Sequence, residues 1–462
     1  DLLDGKLPYK DFFVHYGFLS IALKALFLDI FDKDISSTMY LSSLCFSLGN
    51  IFYFALLINK FQFKNINIYL IPLVVFLLHP FANHPWHSYE FYLFLVLTIY
   101  TFFSDHKLNK FFSGFFLGCA CLINENFFYI SLIIIFYNIL LFKKKNITFS
   151  VSFFFPILVF YLYLVFFGLE NYWLKTHTLN RAFLEIENTD LVTLLTEFIF
   201  SFSIKSFYGL LKEPYYTIFF IIFVSNIYFL INETYKILIL KKTNKETDAK
   251  IKPLLFLSLI ALLSSATAIH SLHIFRLSTS LVVGIIIPFY YLNKINLKYK
   301  NPIITLIIII LLLTNITPIK KSNNLNFPYL ESINNNDYSN EFLYFKSQKW
   351  SKSTWATLSN LNRINILVSK NCPEISNFIN FTEDAYIYMI VHRFFNSDQY
   401  LYWLGNDRFF RILLSHFDKS LESIFKTTEL KKTIIISNIQ NVSFLKSMID
   451  YSEYEMIDLK YS

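Results

Sequence analysis

The residues able to do chemistry gather in five polar stretches of a largely apolar chain. The first reads Asp4-Gly5-Lys6-Leu7-Pro8-Tyr9-Lys10-Asp11-Phe12-Phe13-Val14-His15-Tyr16-Gly17. A carboxylate such as Asp11 beside an apolar helix can take a proton from a hydroxyl, or it can simply cap its own loop. Asp1 and Asp4 are weaker candidates for the same role. The second stretch holds His79, His84-Pro85-Trp86-His87 and Glu90. An ionisable residue at the mouth of an apolar helix, as Glu90 is, points to function. His84-x-x-His87-x-x-Glu90 would share one face of a helix that began early enough, and the set would suit a divalent cation. Pro85 argues against that early start, so substrate or structural hydrogen bonding is the competing reading. Asn124-Glu125-Asn126 breaks a third apolar run, either as a solvated turn or as a group in a cavity. The last two stretches are cationic: Lys175, His177 and Arg181, then His270, His273 and Arg276. Fixed positive charge of this kind suits a phosphate. Arg276 stands between apolar runs, where a lone cation is expensive, although it could also snorkel to lipid phosphate. Tyr172 and Trp173 read as aromatics of a membrane-interface belt.

The elements that carry these stretches are apolar runs rich in Phe, Ile and Leu. The 462-residue chain is 55% hydrophobic and 16% charged, with mean hydropathy +0.44. Soluble domains carry roughly a quarter charged residues. Lysine crowds every second break: Lys60/Lys64, Lys107/Lys110, Lys143 to Lys145, Lys241 to Lys252, and Lys294/Lys298/Lys300. Cytoplasmic loops accumulate Lys and Arg. The five chemically interesting stretches therefore fall on the opposite, external side. The net charge of +8 sits in the cytoplasmic breaks, where anionic lipid accounts for it, and gives no reason to expect nucleic acid.

A span needs about 20 mostly apolar residues. The runs 36–59, 65–81, 86–103, 110–124, 126–142, 147–168, 214–232, 253–270, 277–293 and 302–318 predict an all-α polytopic membrane domain of about ten spans. The topology closes if one more helix precedes residue 1. External loops are then 1–35, 79–90, 169–213 and 270–276 within a domain of residues 1–319. Gly17 to Phe31, interrupted by Ser20, Lys24 and Asp29, reads as a helix lying at the interface, and 189–210 is similar. Gly114-x-x-x-Gly118 permits close helix packing, expected within the chain. Cys45, Cys119, Cys121 and Cys372 show no disulfide framework, and Cys119-x-Cys121 lacks zinc spacing. From about Lys320 polarity rises. Strand-like Ile364 to Val368 and Thr433 to Ile436, with helix-like Thr382 to Phe394 and Arg408 to Phe425, predict a small extracytoplasmic α/β domain over 320–462.

Gly5, Pro8, Tyr9, Asp11 and Phe12 match a G-x-x-P-Y-x-D-F motif, and His15-Tyr16-Gly17-Phe18-Leu19 follows it with Phe18 where proline is common. In these residues the chain resembles the GT-C superfamily of integral-membrane glycosyltransferases. Protein O-mannosyltransferases and lipid A aminoarabinose transferases belong to that superfamily. The resemblance covers residues 4–130 in detail and the remainder as topology. It implies a sugar moved from a polyprenyl-phosphate donor to a glycan, lipid or protein acceptor, at the outer face of the cytoplasmic membrane. It implies Asp11 and Glu90 as catalytic acids, and Tyr9, His15, His87, Lys175, Arg181, His270 and Arg276 around the substrate. In the family the best-matched acid often lies upstream of this motif. No cofactor is required by the resemblance, and a metal role for the histidines stays open. No phosphate-binding glycine loop, H-E-x-x-H or G-x-S-x-G is present. Two rivals stand beside the enzyme: a transporter of lipid-linked saccharide, and an inactive relative whose tail binds partners.

Overall fold

The computed structural model describes residues 2–11, 14, 17–31, 36–59, 67–78, 87–103, 106–142, 147–186, 191–208, 214–238, 245–269, 272, 274–294, 305–312, 377–381 and 433–437. A 3-10 turn, Leu2–Asp4, precedes α1 (Phe18–Ile30), α2 (Ser36–Asn59), α3 (Asn67–Leu77), α4 (His87–Phe102) and α5 (Lys107–Ile123). Then come α6 (Phe127–Phe142), α7 (Ile147–Phe167), α8 (Glu170–Ile186), α9 (Leu191–Tyr208), α10 (Pro214–Leu238) and α11 (Lys245–Ser265). The last helices named are α12 (Ile274–Ser280) and α13 (Ile286–Lys294), and residues 305–312 are also helical.

Each of the ten apolar runs thus holds helix. Four stretches are long and apolar enough to cross a membrane: Tyr40–Asn59, Ile147–Phe167, Pro214–Ile237 and Ile251–Ala268. Phe127–Leu140 and Arg276–Leu292 are apolar but shorter. On α7, Phe155, Leu158, Leu162 and Phe166 recur at helical spacing and are all exposed. An uncovered apolar stripe of that length fits lipid rather than water.

The tightest packing joins α5 to α7. A Cβ at Gly114 would collide with the Phe149 carbonyl, and one at Gly118 with the Phe153 carbonyl. The small-xxx-small pair therefore serves packing inside the chain, as its sequence suggests. Pro156 sits inside α7 against Gly118. The expected span 277–293 is interrupted by a 3-10 segment, Leu281–Ile285. Two carbonyls of that segment are held by neighbouring helices. Tyr53 Oη donates to Val283 O at 2.9 Å, and Asn226 Nδ2 donates to Gly284 O at 3.0 Å. Irregular backbone survives at membrane depth only with such partners.

In the tail, β1 (Asn377–Phe381) pairs in parallel with β2 (Thr433–Ser437), Asn377 opposite Thr433. The second strand matches the apolar run at Thr433 to Ile436. Ile364 to Val368 and the two helix-like tail stretches lie outside the described residues.

Candidate functional site

A half-buried carboxylate, Glu125, organises the polar groups at one end of the α5–α7 pair. It stands in the turn between α5 and α6, where Phe127 and Phe128 N–H groups donate back to the Asn124 and Glu125 carbonyls. Three separate segments converge on it.

The first is the loop before α1. This loop is pinned by Gly17, whose N–H donates to the Ile123 carbonyl at 2.9 Å. A Cβ at Gly17 would collide with the Leu122 carbonyl, so only glycine lets the loop lie against the end of α5. Upstream, Tyr9 is fully buried with φ of 68°. A bulky residue rarely adopts that conformation, and holding it costs about 1–3 kcal/mol. The strained backbone lets the Tyr9 hydroxyl donate to Glu125 Oε1. Burial, and next the neighbouring carboxylate, push the Tyr9 phenol well above its usual range, so it stays a donor. The second segment is the start of α1, where the Phe18 N–H reaches the same oxygen at 3.4 Å.

The third segment is α8. Gly168, with φ of 63°, ends α7 in a Schellman cap: its N–H donates to Val165 O, and Leu169 N–H donates to Leu164 O. Leu164 and Leu169 are buried in one cluster with Tyr9 and Phe160, which completes the cap's apolar contact. The chain reverses and α8 begins at once. Trp173 and His177, one turn apart, then face Glu125. Trp173 Nε1 donates to Oε2 at 3.0 Å. His177 Nε2 lies 2.8 Å from Oε2, off the line of a hydrogen bond. The two rings meet edge to face at 4.6 Å. Phe160 backs Trp173 and stacks on Phe18, which also touches Tyr163.

A carboxylate has about four lone-pair sites. Here Tyr9 and Phe18 address one oxygen, Trp173 and His177 the other. The group is an anchor that fixes its neighbours. Among the described residues no group of three or more His, Cys, Asp or Glu is placed to hold a metal ion.

Glu90 belongs to a second network. It is fully buried in the first turn of α4, with Oε2 accepting from Ser20 Oγ at 2.8 Å and Lys24 Nζ 3.7 Å from Oε1. Lys24 also donates to Ser20 Oγ at 3.1 Å. Burial lowers the Lys24 pKa, and the Glu90 carboxylate works against that shift. Lys24, read from sequence as an interruption of α1, is thus an inward ion-pair partner. His87 is buried one turn from Glu90.

Asp11 is exposed. Its Oδ2 accepts the Leu7 N–H at 2.7 Å, while its own N–H donates to the Leu7 carbonyl at 2.9 Å. It closes its own turn, and its hydrogen bonds share no residue with those of Glu90. Arg276 is buried in α12 and donates from Nη1 to the Thr267 carbonyl at 3.0 Å. Lys175 Nζ lies 5.8 Å from the centre of the Tyr172 ring. Arg181 lies in α8, its side chain outside the described residues. His15, His84, His270 and His273 also lie outside them.

Of the residues expected around a substrate, the structure brings Tyr9 into the Glu125 group. Sequence reasoning left Glu125 open between a solvated turn and a group in a cavity, and read Trp173 as a belt aromatic. Their signal was present in a lone carboxylate between two apolar runs and an aromatic–histidine pair at i, i+4.

No family model, curated protein or solved structure matches this chain.

Proposed function

We propose that the protein is a polyprenyl-phosphate-dependent glycosyltransferase of the GT-C type. It works at the outer face of the cytoplasmic membrane and passes the sugar to a glycan, lipid or protein acceptor. The observation that carries this reading is the folding of the first-loop motif onto Glu125. Tyr9 of that motif reaches a carboxylate 116 residues away, beside the α8 tryptophan and histidine. A strained backbone that serves one polar contact is a mark of a working site. Trp173 and His177, both partly exposed, supply an aromatic face and a polar edge that suit a sugar.

The lysine alternation supports an external position for this turn, and for a tail domain of residues 320–462 on the same side. The tail domain extends the parallel strand pair into a small α/β fold. About ten membrane crossings fit the ten helical runs if neighbouring helices and flanking residues accommodate the short ones. The transport reading would draw on the interrupted span of α12 and α13. Its Val283 and Gly284 carbonyls each already accept a hydrogen bond, from Tyr53 and Asn226, which speaks for a structural break.

The test is sugar transfer from a polyprenyl-phosphate sugar in membranes holding the full-length protein. Glu125→Ala removes the anchor and should abolish transfer to the acceptor. A parent protein that releases no sugar from any polyprenyl-phosphate donor overturns the reading.

A further inference from the structure

We infer that His177, oriented by Glu125, is the base that takes the acceptor's proton. This rests on the transferase reading. Four observations lead there. First, Glu125 is occupied: Tyr9, Phe18 and Trp173 donors already address its two oxygens. Oxygens that already face donors leave little room for a reacting hydroxyl to approach. Second, Asp11 is spent on the Leu7 N–H in its own exposed turn. Third, the imidazole is held in place. Its Nε2 is buried 2.8 Å from Glu125 Oε2, and its ring stands edge-on to Trp173. Fourth, the side chain is 22% exposed, against 13% for Glu125, so the ring offers more surface outward than the carboxylate.

A carboxylate behind an imidazole fixes the tautomer and steadies the imidazolium that forms. With the proton on Nε2 toward Glu125, Nδ1 presents a lone pair to the site. The off-line contact between Nε2 and Oε2 is of the kind that aligns when substrate binds.

The step balances without a redox partner. The acceptor oxygen forms a bond to the anomeric carbon of the donor sugar as its O–H proton passes to His177 Nδ1. The bond from that carbon to the phosphate oxygen breaks, and its electron pair leaves with the polyprenyl phosphate. The imidazolium, paired with Glu125, later returns its proton to water.

The experiment compares His177→Ala and His177→Gln with the parent, in membranes supplied with a polyprenyl-phosphate sugar and acceptor. Turnover should fall roughly 10²–10⁴-fold in both, as for loss of a general base, with the donor KM changed little. Added imidazole should restore turnover to the alanine variant alone, where it fills the vacated space, and leave the glutamine variant inactive. A prop for Glu125 would not be rescued this way. Parental turnover in either variant, or loss in both with no imidazole rescue, overturns the assignment while the transferase reading stands. Loss of the folded protein in both variants also overturns it, because the ring is then structural. A parent without transfer removes both readings together.

Discussion

Replacing Glu125 by glutamine keeps the volume of the side chain and removes its charge, so the cost isolates the anchor. One of the two oxygens becomes an NH2 group, which must face donors. The cheaper orientation puts that nitrogen at the Oε1 position. There the Tyr9 hydroxyl can turn round and accept from it, and only the long 3.4 Å contact from Phe18 N–H is lost. Trp173 and His177 then still address an oxygen. What disappears is the charge. Hydrogen bonds to a charged group contribute about 1.5–3 kcal/mol, and neutral ones about 0.5–1.5 kcal/mol. Two or three contacts weakened by about 1 kcal/mol each give a destabilisation of about 2–3 kcal/mol. The side chain is 13% exposed, so solvent screening is limited. Glutamate to alanine should cost more, because the Tyr9 and Trp173 donors lose their acceptor as well. The assay is reversible denaturation in detergent micelles or nanodiscs, following tryptophan fluorescence, with a Trp173→Phe background as the control for the reporter. A Glu125→Gln variant as stable as the parent, or more so, would refute the anchor, since a carboxylate that gains nothing from its donors is better replaced by an amide.

Four further outcomes follow, three from contacts in the structure and one from the lysine alternation. Gly17→Ala should release the first loop from α5, because its Cβ has no space beside the Leu122 carbonyl; limited proteolysis near Lys6 and Lys10 should quicken. Lys24→Met leaves Glu90 buried without its cation, a loss of about 3–5 kcal/mol, and Lys24→Met with Glu90→Gln should recover most of it in a double-mutant cycle. Asp11→Asn keeps an oxygen for the Leu7 N–H and should melt with the parent, whereas Asp11→Ala should cost about 0.5–1.5 kcal/mol. A 10²–10⁴-fold loss of turnover in a well-folded Asp11→Asn variant would move the base from α8 to the first loop. For topology, a cysteine at position 340 should react with an impermeant thiol reagent in intact cells and one at position 144 should not, with the native thiols removed; the reverse pattern would invert the membrane orientation.

Much of the helical layout is legible because membrane-length helices announce themselves. Apolar runs bounded by lysine or by polar residues leave little choice of element, and each helix from α2 to α7 starts and stops near a composition change. The break at Leu281–Ile285 is less legible, since no charge marks it and Ser278 to Ser280, Gly284 and Pro288 are all residues that apolar spans tolerate. It depends on what lies opposite: Gly284 packs against Asn226 and Ala261, and Tyr53 comes from 230 residues earlier to take the Val283 carbonyl. Lys24 misled for a related reason. A lysine in a short apolar helix looks like an outward interruption until Glu90, 66 positions later in the sequence, is placed beside it.

The Glu125 group shows where pattern reading stops. The motif singled out Tyr9, yet its partner is set by how α5 and α7 pack, which no spacing within the first loop can reveal. Asp11 and Glu125 are both lone carboxylates at polar breaks. What separates them is the number of donors that the fold delivers: two backbone and side-chain contacts within one exposed turn for Asp11, three convergent segments for Glu125. Helix α1 then joins the half-buried Glu125 to the buried Glu90. Its first residue sends Phe18 N–H to Glu125, and its next turns send Ser20 and Lys24 to Glu90. A shift of α1 along its axis would therefore lengthen contacts at both carboxylates at once. The short helix acts as the strut that keeps the first-loop tyrosine, the α5–α6 turn and the start of α4 in one arrangement. Rigid placement of that kind is what a site must have before any of its side chains can do chemistry.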